Sequence, residues 1–147
     1  IQEKNEFSGQ GSNVYRQIED EGKVFYDFDG LSSKWNEGAE YIAVYPNVLL
    51  GVHRDHIFSI ILEPVNKEFT REHVAIYYAK KESTEATFSQ LRKQNFSWWK
   101  SVLKEDIFVV EGMQRGRHGK FFDGGRFSPI MDGPTHNFHN WVAKEFI

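Results

Sequence analysis

The chain contains no cysteine. Disulfide bonds and thiolate-held metal clusters are therefore excluded, and an intracellular, cytoplasmic setting is expected. No apolar run approaches the roughly 20 residues that span a bilayer, and no secretory signal is visible, so no membrane partner is expected. No run of five or more basic residues occurs and the formal net charge is −3, which weighs against nucleic acid as a partner. The Gly-x-Ser-x-Gly elbow, His-Glu-x-x-His and Cys-x-x-Cys are all missing. Nucleophilic serine or cysteine chemistry thus has no support. There is also no initiating Met: the chain opens "IQEKNEFSGQ", as a processed, trimmed or partial chain does.

What is abundant is aromatic. Thirteen Phe, six Tyr and four Trp among 147 residues can bury a large core or line an apolar cavity. The length fits one domain, residues 1–147. Residues 1–20 are polar and rich in Gly, Ser, Asn and Gln, and read as loop or poorly ordered. "GKVFYDFDG" alternates, so Lys23 to Phe28 is expected as a strand. "EYIAVYP", Val48 to His53, His56 to Leu62 and roughly Glu72 to Ala79 follow as strands separated by short turns, an antiparallel meander.

From about Thr84 the period changes. Leu91, Asn95, Trp99, Val102, Asp106, Val110 and Met113 recur at helical spacing, with no Gly before Gly112 and no Pro. A long helix is expected, capped by Ser83 or Thr84 and broken near Asn95. "RGRHGKFFDGGRFSPIMDGP" reads as loop. "THNFHNWVAKEFI" reads as a short helix with Phe138, Trp141, Val142 and Phe146 inward. Strands followed by a long helix make an α+β protein. A curved sheet around such a helix leaves room for a ligand pocket.

Asp106 is the residue that needs explaining. It falls within the apolar stripe, where an unpaired carboxylate is costly. A basic partner or a capping role is the commoner answer; a metal ligand or an acid/base group facing a pocket is the other. Glu111 reads as a structural hydrogen-bonding residue. Asp132, His136 and His139 have the composition of a non-haem iron set, yet Phe138 and Trp141 compete for the same helix face, and a covering role is favoured. "HRDH", His53 to His56, reads as a hairpin tip whose polar residues serve the turn. Trp98, Trp99, Phe96, Tyr77 and Tyr78 read first as core. "FDGGRFSP" lacks the Lys and spacing of a phosphate loop.

Taken together, "EYIAVYPNVLLGVHRDHIFSIILEPV", "KEDIFVVEGMQRGR" and "GGRFSPIMDGPTHNFHNWV" resemble the C-terminal part of the catalytic domain of Rieske-type ring-hydroxylating oxygenase α subunits. The resemblance runs from about Tyr41 to Val142. Its most specific features are Glu105, Asp106, Glu111, Gln114 and Gly116, then the S-P…D-G-P-T-H-x-F-H-x-W-V run. It implies a helix-grip fold: an antiparallel sheet wrapped around a long helix with an apolar pocket between. It also implies mononuclear iron(II) held by two His and one Asp, with open positions for dioxygen and substrate. The family's aspartate ligand matches Asp106. Trp99 and Val102, two turns and one turn before it, and more weakly Phe96, are then expected to line the substrate pocket.

This sequence departs from that pattern in two places. The Rieske domain with its [2Fe–2S] cluster is missing, since there is no Cys. The family's two His ligands precede the sheet, whereas the first His here is His53. The resemblance therefore implies part of a catalytic domain, from a parent enzyme that hydroxylates or dealkylates an aromatic or other apolar substrate with O2. That enzyme would draw electrons from a ferredoxin or reductase and form a homo-oligomer, often a trimer. The isolated chain is expected to be inactive and to hold no stoichiometric iron. The competing expectation is a non-catalytic helix-grip module that binds an apolar small ligand.

Overall fold

The computed structural model describes residues 2–4 and 6–145, with side chains from residue 6 onward. Six strands form one antiparallel sheet in chain order: β1 (Gln2–Lys4), β2 (Phe7–Ser12), β3 (Ala39–Val44), β4 (Val48–Val52), β5 (His56–Asn66) and β6 (Phe69–Tyr78). Two helices follow, α1 (Ser89–Arg117) and α2 (Gly133–Glu145). The arrangement is α+β and of helix-grip type. Strands β3 to β6 fall where the alternating runs and short turns place them.

Side chains alternate across a sheet, so register decides which of them meet α1. Tyr41, Gly51, Phe58 and Ile76 lie in one cross-strand row. Phe58 and Ile60 pack with Trp99 of α1, flanked by Tyr41, Leu49, Leu62, Ile76, Val102 and Leu103. A second cluster joins Phe25, Phe88 and Leu91, with Ile18 and Tyr78 against it. Helix α2 lies at the other end of the sheet. There the Asn137 amide donates to the Tyr45 hydroxyl at 2.9 Å, and the Tyr45 ring meets Phe138 and Trp141.

Three expectations need correction. Residues 1–20 are not all loop: Phe7–Ser12 is a strand paired residue for residue with β3. Gly9 and Gly11 hide the apolar alternation there, and Gly9 is needed, because a Cβ would sit 2.9 Å from the Tyr41 carbonyl oxygen. Lys23 to Phe28 is not a sheet strand; outside a bridge between Asp20 and Lys23 it makes no ladder. Its alternation instead sends Phe25 into the second cluster. The long helix begins at Ser89, after two short 3-10 turns at Lys81–Thr84 and Ala86–Phe88, so Ser83 is a buried residue of the first turn and no cap. It runs unbroken through Asn95, which is buried against the interior. In α2, Phe138, Trp141 and Val142 are half-buried as the pattern demands, while Phe146 lies outside the described residues.

Only the first half of α1 is clad. Leu91, Asn95 and Trp99 are buried. Beyond Leu103 the apolar residues Ile107, Phe108, Val109, Val110 and Met113 are all exposed, Phe108 by 76%. The far end meets the β5–β6 turn through polar contacts, the Gln114 amide to Glu68 at 3.4 Å and His118 to Glu68 at 3.6 Å.

The ring packing between β5 and α1 depends on a missing side chain. A Cβ on Gly51 would fall 2.2 Å from the Phe58 ring, which is itself held edge-on against Trp99 at 4.4 Å. A Cβ there forces one of the two rings to shift. Gly51→Ala is therefore expected to destabilise the protein by about 1–3 kcal/mol, the usual cost of overpacking a core. Urea denaturation measures this, and an unchanged midpoint would show that the Phe58–Trp99 packing is looser than described.

Candidate functional site

Helical spacing puts Trp99 on the sheet-facing stripe of α1, and the β4–β5 turn places two histidines beneath it. The indole N–H of Trp99 donates to Nε2 of His56 at 2.8 Å. An indole can only donate, so that nitrogen is bare and the ring's proton is on Nδ1. Nδ1 faces Oδ1 of Asp55 at 2.8 Å. The same carboxylate accepts the Tyr15 hydroxyl at 2.8 and 3.1 Å. Asp55 and His56 are completely buried, and Trp99 and Tyr15 nearly so. One hydrogen-bonded chain thus joins the N-terminal segment, the β4–β5 turn and α1.

Electrostatics follows from this burial. Burial by itself pushes the Asp55 carboxyl up, but its contacts with His56 and Tyr15 outweigh that and hold it below the usual carboxylate range. The Tyr15 phenol is driven far up, first by burial and then by the Asp55 charge. Tyr78, lying 6.2 Å from the His56 ring, is pushed up to about 12 by burial. His53 stacks on His56 with centroids 4.6 Å apart and is 1% exposed. Burial, and then the neighbouring His56, bring its pKa down to about 4. Among the described residues neither ring nitrogen of His53 has a hydrogen-bond partner in bonding geometry.

These residues do form the hairpin tip between β4 and β5, but turn chemistry does not account for the burial of Asp55. Arg54 pairs two of its guanidinium nitrogens with the Asp27 carboxylate, while His53, Asp55 and His56 turn in. A carboxylate and two imidazoles within four residues, at the foot of a strand facing a helix, is the only sequence signal of this cluster. Turn chemistry explains that composition equally well.

Asp106, expected within an inward stripe, is exposed. The physical reason is the length of α1: it outruns the sheet side chains that clad it, and Asp106 lies past the last of them. Trp99 is buried in the core rather than lining a cavity, Val102 is half-buried beside it, and Phe96 is 51% exposed. A cavity of about 340 Å³ lies between Asp27, Leu31, Ser33, Trp35 and Arg54. A more apolar one of about 260 Å³ lies on the outer sheet face between Phe7, Trp35, Ile42 and Val52. None of the four expected site residues lines either. Asp132 is occupied locally, its carboxylate accepting the Ser128 N–H at 2.7 Å, and His136 and His139 flank the Phe127 ring. Among the described residues no three His, Asp or Glu side chains converge to hold a metal, and no helix is long and apolar enough to cross a membrane.

A sheet gripping a long helix that carries the E-D…E-x-x-Q-x-G pattern is what a ring-hydroxylating catalytic domain presents, and the sequence comparison agrees. Residues 8–145 match the family of ring hydroxylating alpha subunits (catalytic domain), and the chain belongs to it. No curated protein and no solved structure matches the chain.

The buried histidine makes stability depend on pH. The unfolded chain protonates His53 near 6.5 and the folded one near 4, so between those values the unfolded state binds more protons. Stability is complete above about pH 6.5 and falls by up to roughly 3 kcal/mol as the pH drops to about 4. Asp55 adds loss of the same sign at still lower pH. Urea midpoints across this range are expected to rise with pH and then level off, with His53→Gln flattening the slope. A flat wild-type profile would contradict a buried neutral imidazole.

Proposed function

We propose that this chain is catalytic-domain sequence of a Rieske-type oxygenase that inserts oxygen from O2 into an aromatic or other apolar substrate, with hydroxylation or dealkylation as the outcome. The observation that carries the reading is family membership across nearly the whole chain, joined to the gripped helix on which the E-D…E-x-x-Q-x-G pattern is displayed. Both favour an oxygenase over a module that only binds a ligand.

In this reading Asp106 is the carboxylate ligand of a mononuclear iron(II). Such an ion would supply redox and Lewis-acid chemistry towards O2. The described residues do not make that site by themselves, since one exposed carboxylate has no converging imidazoles. Two histidines from outside the described residues complete it, and a ferredoxin or reductase delivers electrons through a separate [2Fe–2S] domain. The exposed apolar half of α1 around Asp106 supports this reading, because an apolar stretch of that extent is normally covered in the assembled protein.

The roles of the expected lining residues separate in this picture. Val102 is half-buried one turn before Asp106 and forms the wall nearest the carboxylate. Trp99 acts from beneath, fixing the helix on the sheet through its bond to His56. Phe96 supplies no buried wall.

Two measurements test the proposal. Anaerobic loading of the purified chain with iron(II), followed by metal analysis, is expected to give well under one equivalent. In the complete oxygenase, Asp106→Ala is expected to strip iron and lower turnover on the order of 100-fold or more. A variant that keeps its iron would remove Asp106 from the ligand set.

A further inference from the structure

We propose that the buried ring of His53 is the polar anchor of an internal hydroxyl site, one that takes neutral O–H groups: water, or the hydroxyl of a small phenol.

The argument starts from unmet hydrogen bonds. A neutral imidazole carries one N–H donor and one bare acceptor nitrogen. In His53 both are shut away from solvent and, among the described residues, neither meets a partner in bonding geometry; the His56 backbone carbonyl, which already accepts the His53 backbone N–H, adds only the weakest influence on the ring. An orphaned buried polar atom costs on the order of a hydrogen bond or more, so such atoms are normally met by protein or by an ordered small molecule. The polar side chains packed closest to the ring, Tyr15, His56 and Trp99, are already committed. The Tyr15 hydroxyl, whose ring lies 4.5 Å away, is given to Asp55. The Trp99 N–H, on a ring 5.0 Å away, is given to His56. Both nitrogens of His56 are used as well. Phe58, at 5.9 Å, has nothing polar to offer.

The chemistry of the missing partner follows. It must serve a donor or an acceptor according to the tautomer, and a hydroxyl does either. A carboxylate serves only the N–H and would be brought towards the negative Asp55. A metal ion is disfavoured because no set of three ligating side chains converges there among the described residues. The surroundings are aromatic: Tyr15, Tyr41, Phe58, Trp99 and His56 ring the imidazole. Of these Tyr41 is half-buried and the others are buried. An aromatic lining with a single neutral polar anchor suits water and phenol alike.

The experiment has three arms, all run above pH 7. Relaxation dispersion of water oxygen-17 detects a long-lived internal water. Ring nitrogen resonances of 15N-histidine-labelled protein are followed while phenol, and separately toluene, is added. Thermal midpoints are compared for wild type, His53→Phe and His53→Gln, the last keeping one donor and one acceptor. A long-lived water lost in His53→Phe, with a midpoint lowered by roughly 3 °C or more, assigns the hydroxyl to water. His53 resonances that shift with phenol and not with toluene, in wild type and not in His53→Phe, assign it to a ligand. If His53→Phe does not fold, the wild-type arms decide, with His53→Gln holding the wild-type midpoint. No internal water and no phenol response, toluene acting as well as phenol, or a midpoint raised in His53→Phe would overturn the proposal. None of these readouts involves iron or turnover, so its failure would leave the oxygenase reading untouched.

Discussion

The hydrogen bond from Trp99 to His56 is the contact on which the helix–sheet arrangement turns. It has a direction, and it closes a chain that reaches Tyr15 through Asp55. Apolar packing alone lets a helix slide or rotate on a sheet at small cost, because dispersion and burial are non-directional. A buried indole N–H aimed at one imidazole nitrogen admits no such freedom, since losing the bond leaves two buried polar groups unmet. The rotation and axial position of α1 are therefore specified at Trp99. Seven residues later, two turns on and nearly the same angle round, the helix presents Asp106.

This division of labour explains why α1 has two characters. Up to Leu103 the helix is structural, pressed onto Phe58 and Ile60 with Tyr41 and Leu49 alongside. From Lys104 onward it carries the family's E-D…E-x-x-Q-x-G pattern on a surface that the described residues leave uncovered. A carboxylate there stays solvated, whereas in the core burial would demand a permanent partner such as the one Asp55 has. The chain thus contains two acids on opposite terms: Asp55, sealed and fully paired, and Asp106, held out in the open.

How much of this was legible beforehand can be judged from particular residues. The meander from β3 to β6 announced itself because alternation and short turns agree, and α1 because its apolar residues keep a 3.6-residue period over many turns. Strand β2 did not, because glycines occupy the positions that would have shown the alternation, and one of them is there to let Tyr41's backbone approach. Lys23 to Phe28 alternated convincingly yet found its burial in a loop, since period alone says that one side is covered without saying by what. The inward position of Asp106 was read from the same stripe as Trp99; the stripe is real, but burial depends on what stands opposite, and past Leu103 little does.

By itself, then, the sequence determined the α+β class, the order of the main elements and the family. These rest on local period and local pattern, which a chain carries within a few consecutive residues. Only the tertiary structure decided that His53, Asp55 and His56 turn inward as a unit, that Tyr15 comes back across forty residues to meet them, and that Trp99 serves them instead of a substrate. Those facts depend on pairing register and on the rotation of one helix, quantities set by contacts between segments far apart in the chain, which no stretch of neighbouring residues encodes.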